Sequence, residues 1–288
     1  MALSDEDLAA NYGFALAFMK SDKELWGLFK KASDPKNSWT VQRFVAGLKN
    51  TGWYKKKSES VRQYELLRTT DPATLAQRRQ QMDSQIHDLA AQMGASFPSG
   101  SRSRIVDNAL KYGWNENQIR DTVAGFIRTV NGVYNGQAGS NIESLRQTAW
   151  RNGINMAPTT LQNYARQIAM GNAGVKFYQD LIRKQAKSLA PSFAAEIDAG
   201  MDLYDIANPY IQAKAKILEK NPADIDLFDN DVRKALSGKD AAGKPSTMSL
   251  WQFEQSLRKN PEWNKTQNAQ DSMMSTARKV LQDFGFQA

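Results

Sequence analysis

Two segments near opposite ends of the chain follow one pattern, and this repeat limits the possible fold more than any other feature of the sequence. Residues 40–53 and 249–263 each begin with a hydroxyl residue suited to a helix N-cap, place Phe and Leu four residues apart, and reach a Trp after a break. Because residues four apart share one face of a helix, each segment is predicted to form an amphipathic helix, a loop and a packed Trp. The shared positions are Thr40, Phe44, Leu48 and Trp53 in the first copy and Ser249, Phe253, Leu257 and Trp263 in the second.

The repeat extends towards the N-terminus of each copy. Asp22 precedes the first copy at about the distance at which Asp229 precedes the second. The predicted unit is therefore a helix, a loop of variable length, a second helix and a Trp. Such units either stack on one another or cap a central bundle, and the sequence leaves both arrangements open. The copies share packing positions and no polar chemistry, which favours a structural or binding protein over an enzyme.

The chain between the copies is predicted to form short helix-turn-helix hairpins. Three helical segments each end in Gly, followed by an apolar residue and then by Asn or Asp. Gly adopts the left-handed C-cap conformation without a Cβ penalty, and Asn or Asp suits the N-cap of the next helix. These pairs are Gly113 with Asn115, Gly153 with Asn155, and Gly200 with Asp202.

The predicted fold is all-α, an array of such hairpins with the duplicated unit near each end. Strand signals are nearly absent, and Asn131-Gly132 is assigned to a frayed helix end rather than to a hairpin. Pro72 is predicted to start a long polar helix that ends at Met93, and residues 97–103 read as a linker. Three segments follow: an N-terminal repeat unit with the long helix at 1–95, central hairpins at 96–221, and a C-terminal repeat unit at 222–288.

Composition excludes several kinds of active site. The chain has no Cys and a single His, which excludes disulfides, zinc-thiolate sites and thiol catalysis. His87 is assigned to a helix surface, because the adjacent Asp88 does not face it on a helix. The acidic cluster at 224–231 lacks the Gly and Glu of a calcium loop and is assigned to caps and turns. We therefore predict no catalytic residue, no metal and no cofactor.

Membrane insertion and export are not expected. No apolar stretch approaches the roughly 18 residues that a membrane helix needs. The first residues after Met1 include Asp5, Glu6 and Asp7, where a signal peptide would be basic.

Positive charge is concentrated near the N-terminus. The net charge is +8, and residues 20–79 alone hold 14 Lys and Arg against 6 Asp and Glu, also +8. The stretch 43–79 is compatible with contact to nucleic acid or with a solvated basic face. The candidate nucleic-acid-binding residues are Arg43, Lys55, Lys56, Lys57, Arg62, Arg68, Arg78 and Arg79.

Aromatic and apolar residues of the repeat form the second candidate set. Most are expected in the core, and any Trp that is exposed would mark a protein interface, where Trp is enriched. The predicted packing and interface residues are Trp26, Phe44, Leu48, Trp53, Trp251, Phe253, Leu257 and Trp263.

The repeat also resembles a known group of proteins. About half of the chain, including 22–72, 200–211 and 247–286, is similar to structural proteins of tailed phages that infect actinobacteria. The resemblance implies packing positions and no functional residues. The residues that carry it include Leu25-Trp26, Trp53-Tyr54-Lys55, Leu67-Arg68, Asp71-Pro72-Ala73, Asn268-Ala269 and Phe284-Gly285-Phe286.

The first functional hypothesis is a virion structural protein, tail-associated or internal at the head-tail region. It would be made in the host cytoplasm and assemble in multiple copies with itself and with other virion proteins. The alternative is a nucleic-acid-binding protein that contacts the phage DNA through 43–79. A muramidase-like cell-wall hydrolase is the third hypothesis, and it lacks paired carboxylates in a suitable setting.

Overall fold

A computed structural model describes residues 16–238, 240 and 242–283 of the chain. In this part, a helical segment at 16–20 is followed by fifteen α-helices, and no β-strand is present. Two isolated β-bridges join Ala95 to Ile127 and Val130 to Val133. The all-α prediction is confirmed. Among these residues, none of the helices has the length and apolarity that crossing a bilayer requires.

The chain divides into two compact units, with the boundary between Ala138 and Gly139. This boundary lies inside the stretch 96–221 that the sequence suggested as one array of hairpins. The first unit holds α1 (Lys23–Ser33), α2 (Val41–Asn50), α3 (Gly52–Lys56), α4 (Glu59–Thr70), α5 (Pro72–Met93), α6 (Ser101–Tyr112) and α7 (Glu116–Ala124). Helix α8 (Gly136–Arg151) spans the boundary. The second unit holds α9 (Pro158–Met170), α10 (Val175–Leu189), α11 (Ala194–Asp198), α12 (Leu203–Leu218), α13 (Asn230–Leu236), α14 (Leu250–Arg258) and α15 (Gln267–Asp283).

In the first unit, the long helix α5 is the centre of a bundle and packs against α4, α6 and α7. Asp71 caps it by accepting the Thr74 backbone N–H at 2.9 Å, and Gly94 ends it in the left-handed conformation. The predicted helix from Pro72 to Met93 is therefore confirmed at both ends. Helices α1, α2 and α3 pack on one another, and the buried residues Phe18, Leu25 and Trp53 form a small core beneath them.

Two local predictions in this unit are wrong. The predicted linker 97–103 is shorter, because α6 already begins at Ser101. Asn131-Gly132 is a two-residue hairpin turn, since both residues have positive φ and Val130 and Val133 exchange backbone hydrogen bonds at 2.8 and 3.1 Å. This is the turn that Asn-Gly favours, and it forms here within an isolated β-bridge.

In the second unit, α12 is the central helix and packs against α13 and α14. Nine of its residues are buried, and they form a continuous core with residues of α10, α13 and α14. One of the nine is Lys214, whose Nζ lies 2.7 Å from Asp229 and 2.6 Å from Asp231. The carboxylates neutralise a charge that would otherwise be costly inside this core.

The three predicted glycine C-caps all form. Gly113, Gly153 and Gly200 have positive φ. In each case the N–H of the next residue donates to a carbonyl five residues earlier, which is the outer bond of a Schellman motif. These bonds join Trp114 to Ala109, Ile154 to Ala149, and Met201 to Glu196.

The predicted N-caps after these glycines hold at only one site. Asn115 forms a capping box with Gln118, as the sequence suggests. Asn155 caps nothing, because Pro158 sets the first position of α9 three residues later. Asp202 precedes α12 but makes no side-chain cap, because its carboxylate is held by other residues.

We expect Lys214→Met to destabilise the second unit by about 3 kcal/mol, because Asp229 and Asp231 would lose their counter-charge. This loss of stability is at the lower end of the range for removing one partner of a buried ion pair, because both carboxylates retain some solvent contact. Urea unfolding followed by circular dichroism measures the effect. Lys216→Met is the matched control, because Lys216 is exposed on the same helix and its replacement is expected to change stability by less than about 0.5 kcal/mol.

Candidate functional site

The second copy of the repeat has one buried and one exposed face on α14. Ser249 and Gln252 form a reciprocal capping box at 2.9 and 3.2 Å, which fixes where the helix begins. Phe253 and Leu257 are each 1% exposed, and the Tyr210 ring meets Phe253 edge-on at 5.3 Å. The predicted packing role of Phe253 and Leu257 agrees with this geometry. Trp263, half-buried, packs against the same core.

The opposite face of α14 presents a large aromatic side chain to solvent, because Trp251 is 68% exposed. Leu250, three residues before Phe253 and therefore towards the core side, is 41% exposed in the first turn. Trp251 and Phe253 are two residues apart, which places them about 200° apart around the helix. When Phe253 is in the core, Trp251 must therefore face outwards. An exposed Trp in this repeat is the feature expected of a protein interface, where Trp is enriched.

The first copy has similar caps but a shallower core. Thr40 accepts the Arg43 N–H at 3.2 Å at the start of α2. No residue of α2 is buried, so Phe44 and Leu48 are only half-buried, whereas their counterparts in α14 are fully buried. Val41 and Val45 are exposed on the same helix.

Trp53 and Trp26 both pack within the first unit. Trp53 is buried, meets Phe18 edge-on at 5.3 Å, and donates its indole N–H to Glu65 at 2.9 Å. Trp26 is half-buried and stacks on Phe29 with the ring centroids 5.8 Å apart.

The helices that precede the two copies begin in the same way. Asp22 accepts the backbone N–H groups of Glu24 and Leu25, and Asp229 accepts those of Asp231 and Val232. Leu25 and Val232 are both fully buried. These agreements are local, and the duplicated arrangement as a whole stays a prediction.

Three of the eight candidate basic residues are held in contacts that join helices of the first unit. Lys57 binds Glu65 at 2.6 Å, and Arg79 forms a two-pronged ion pair with Asp107. Arg62 donates to the backbone carbonyls of Tyr54 and Lys57, and its guanidinium lies 3.9 Å from the centre of the Tyr54 ring. These side chains are engaged in the fold and are poorly placed to bind phosphates.

The other five candidate basic residues are exposed. The Arg43 guanidinium lies 5.0 Å from the centre of the Trp39 ring, an arrangement that presents a cation and an aromatic surface together. The remaining four have no ion-pair partner among the residues that the structure describes. They are Lys55, Lys56, Arg68 and Arg78.

A polar network at the start of α12 was not predicted. Arg151 and Arg183 donate to Asp202 at 2.7 and 3.1 Å, and the fully buried Asn152 donates to it at 3.0 Å. The Asn152 amide oxygen accepts the first N–H of α12, from Leu203, at 3.1 Å. Asn152 thus takes over the capping role expected of Asp202. Arg151 and Asn152 are 51 and 50 residues from Asp202 in sequence, and Arg183 is 19 residues from it, so no local pattern predicts the network.

All carboxyl groups with a displaced pKa in the described chain are shifted downwards. Burial alone would raise the pKa of Asp202, but hydrogen bonds from Arg151, Asn152 and Arg183 outweigh it and lower the pKa. Lys57 and Trp53 likewise outweigh burial and lower the pKa of Glu65. The others shifted downwards are Asp71, Asp180 and Asp229. Such carboxylates stay ionised, whereas the general acid of a glycosidase needs a raised pKa.

Other candidate sites have structural roles. His87 is exposed, with Nδ1 3.1 Å from an Arg102 nitrogen. In the acidic cluster, Asp229 caps α13 and Asp226 accepts a turn N–H from Phe228, as predicted for caps and turns. The described residues contain no group of three or more His, Asp or Glu side chains that is arranged to hold a metal ion.

Comparison of the chain with known family models, curated proteins and solved structures finds no match.

We expect the Asp202 network to stabilise the fold most at neutral pH. Because folding lowers the pKa of Asp202, its contribution is complete above the unfolded value near 4 and is lost as the pH falls through the folded value. Asp202→Asn should cost about 2 kcal/mol at pH 7 and reduce the loss of stability between neutral and acidic pH. Urea unfolding across pH measures both effects. Asp224→Asn, at an exposed site, is the control, and an unchanged pH profile in Asp202→Asn would contradict the assignment.

Proposed function

We propose that this chain is a structural protein of a tailed-phage virion, tail-associated or internal at the head-tail region. It assembles through exposed apolar faces of its helices and carries out no chemistry itself. The observation that carries the proposal is Trp251, which is 68% exposed on a helix whose opposite face is fully buried. The resemblance of the repeat to phage structural proteins supports the same conclusion.

The exposed face of α14 has the composition of a contact surface. Single exposed apolar residues are common on monomeric proteins, but Trp251 is a large aromatic side chain that is 68% exposed, and Leu250 beside it is 41% exposed. Truncation of a Trp at the centre of a protein interface can cost about 2 kcal/mol or more of binding free energy. The surface therefore suits a protein partner better than water.

The polar groups favour assembly over hydrolysis. The Asp202 and Lys214 networks join helices of the second unit, and Glu65 joins α4 to the Trp53 region of the first. Their carboxylates are held ionised by the groups that they bind, which suits them to fixing the fold. The proposed partners are other virion proteins and further copies of this chain, after synthesis in the host cytoplasm.

In a phage that encodes this chain, we expect Trp251→Gln to lower incorporation into particles by about tenfold, because an interface loses its aromatic anchor. Quantitative mass spectrometry of purified particles measures the copy number. The free variant should keep its stability to within about 0.5 kcal/mol, since Trp251 lies outside the core.

Two further variants make this test specific. Lys259→Gln changes an exposed residue just after the same helix and should leave incorporation unchanged. Phe253→Ala removes a core side chain and should cost about 3–5 kcal/mol of stability. Absence of the wild-type protein from purified particles would overturn the proposed function.

Nucleic-acid binding is the second candidate function, and one observation favours it. Lys55 and Lys56 are adjacent, exposed and without an ion-pair partner in the described part of the first unit. Their position in the last turn of α3 lets them interact with the helix dipole, but this leaves both ammonium groups accessible to a phosphate backbone. The Arg43 and Trp39 pair offers a stacking surface in the same unit.

If this surface binds DNA, we expect Lys55→Gln with Lys56→Gln to reduce the slope of log affinity against log salt by about 2, because each Lys releases about one counterion. Fluorescence anisotropy with double-stranded and single-stranded DNA across salt concentration measures the slope. Lys234→Gln with Lys259→Gln removes the same charge from exposed sites in the second unit and is the control. Equal slopes in the two double variants would reject this surface as the DNA site.

A further inference from the structure

We propose that α15 pairs with α15 of a second copy of this chain, in antiparallel orientation, through an apolar stripe that includes Met273, Met274, Val280 and Leu281. This inference deepens the proposed function, because it names one partner of the assembly. Its test uses the purified chain and does not require particles.

The first turn of α15 is fixed to the second unit. Glu219 accepts the backbone N–H groups of Gln267 and Asn268 at 2.9 and 2.7 Å, which satisfies two donors at the helix N-terminus. The Asn268 side chain donates to the Lys216 carbonyl at 2.9 Å, and Ala269 is fully buried. The helix therefore leaves the unit from a well-defined position.

Beyond this turn, α15 is not covered by the other residues that the structure describes. Every residue from Gln270 to Asp283 is exposed. A helix of this length is marginal in water without tertiary contacts, because helix stability in proteins comes mostly from packing of an apolar face. We therefore expect the apolar face of α15 to pack against a partner surface.

The exposed residues form an amphipathic face. Met273 is 67% and Met274 58% exposed, and Val280 and Leu281 follow each of them by seven residues. Ala277 lies between the two pairs on the same side of the helix. Spacing of this kind produces a stripe about 120° wide at 100° per residue. A stripe of this width suits a neighbouring helix.

Charges beside the stripe indicate that the partner helix is α15 of a second copy of this chain. Asp271 and Arg278 are seven residues apart on one edge of the stripe, and neither has an ion-pair partner among the described residues. In a two-fold pair, residue i meets residue j and residue j meets residue i. An antiparallel pair in which Asp271 is level with Arg278 of the other copy therefore forms the same ion pair twice.

The same register brings apolar residues together near its centre. It places the two Met274 side chains close to the two-fold axis and Met273 within one residue of the level of Ala277 of the other copy. A parallel pair in register would instead place these edges of the two helices on opposite sides of the interface, so Asp271 would not meet Arg278 of the other copy. Antiparallel pairing also opposes the two helix dipoles favourably.

Light scattering coupled to size-exclusion chromatography tests the pairing. We expect the wild-type chain to reach twice its mass of 32.3 kDa as concentration rises. Met273→Glu with Leu281→Glu should weaken the dimer at least about tenfold, because two charges enter the stripe. Ser275→Glu with Gln282→Glu adds the same charge to the opposite, polar face of α15 and should retain the dimer. Circular dichroism checks that both variants keep their helix content.

Charge exchange tests the register. Asp271→Arg and Arg278→Asp should each weaken self-association, because each places like charges opposite one another. A mixture of the two variants should form a heterodimer, because one copy then carries two cations on this edge and the other two anions. Restoration in the mixture cannot result from packing of α15 on its own chain.

Cross-linking tests the orientation, because the chain has no Cys of its own. Met274→Cys should form an intermolecular disulfide near the two-fold axis. Val280→Cys should not, because the two residues would lie about 16 Å apart along the helices in the antiparallel pair. Cross-linking of Val280→Cys and not of Met274→Cys would overturn the antiparallel pair in favour of another arrangement.

Three results would overturn the inference: a monomer at all concentrations, a dimer that the Met273 and Leu281 variant retains, or no restoration in the mixture of charge variants. These outcomes are separate from the proposed function. A chain that pairs in solution but is absent from particles would overturn the virion proposal alone. A monomeric chain that is present in particles would overturn the pairing alone.

Discussion

The structure depends on burial of the apolar face of each short helix, because helices of this length are marginal in isolation. Helix α12 meets this constraint most completely, since nine of its residues are buried against neighbouring helices. Its core includes the cation of Lys214, which two carboxylates neutralise. Where neighbouring helices cover only part of a helix, as on the outer face of α14 and along most of α15, apolar residues remain exposed and available to a partner. These uncovered helix faces are the basis of the proposed assembly function.

Features set by short-range interactions could be predicted from the sequence. The caps at Thr40, Asp71 and Asn115 act within three residues, and the glycine C-caps act within five, so the local sequence contains all of their partners. The Asn152 and Asp202 network could not be predicted, because its members meet only after α8, α10 and α12 have packed. The direction of Trp251 follows from its spacing to Phe253 once Phe253 is placed in the core. How much of its surface stays exposed depends on the neighbouring helices, which the local sequence does not contain.

The basic surface shows why counts of charge do not identify a binding site. Eight cations fall between residues 43 and 79 as candidates, yet Lys57, Arg62 and Arg79 are used to join helices within the first unit. The cations that remain exposed, among them Lys55 and Lys56, are fewer than the sequence suggests. The separation of structural from accessible cations required the tertiary structure, because each ion pair joins residues from different helices or from a helix and a loop.

Glu219 has a geometric consequence for any assembly built on α15. It is one of the few residues other than Gly with positive φ, and it ends α12 while its carboxylate holds the first turn of α15. Gly would suit this backbone conformation but has no carboxylate to offer. The projecting helix acts as a lever about 25 Å long, so a tilt of about 10° at this pivot moves its far end by about 4 Å. In an assembly paired through α15, one side chain at the pivot would therefore govern the spacing between subunits, far from the surface at which they touch.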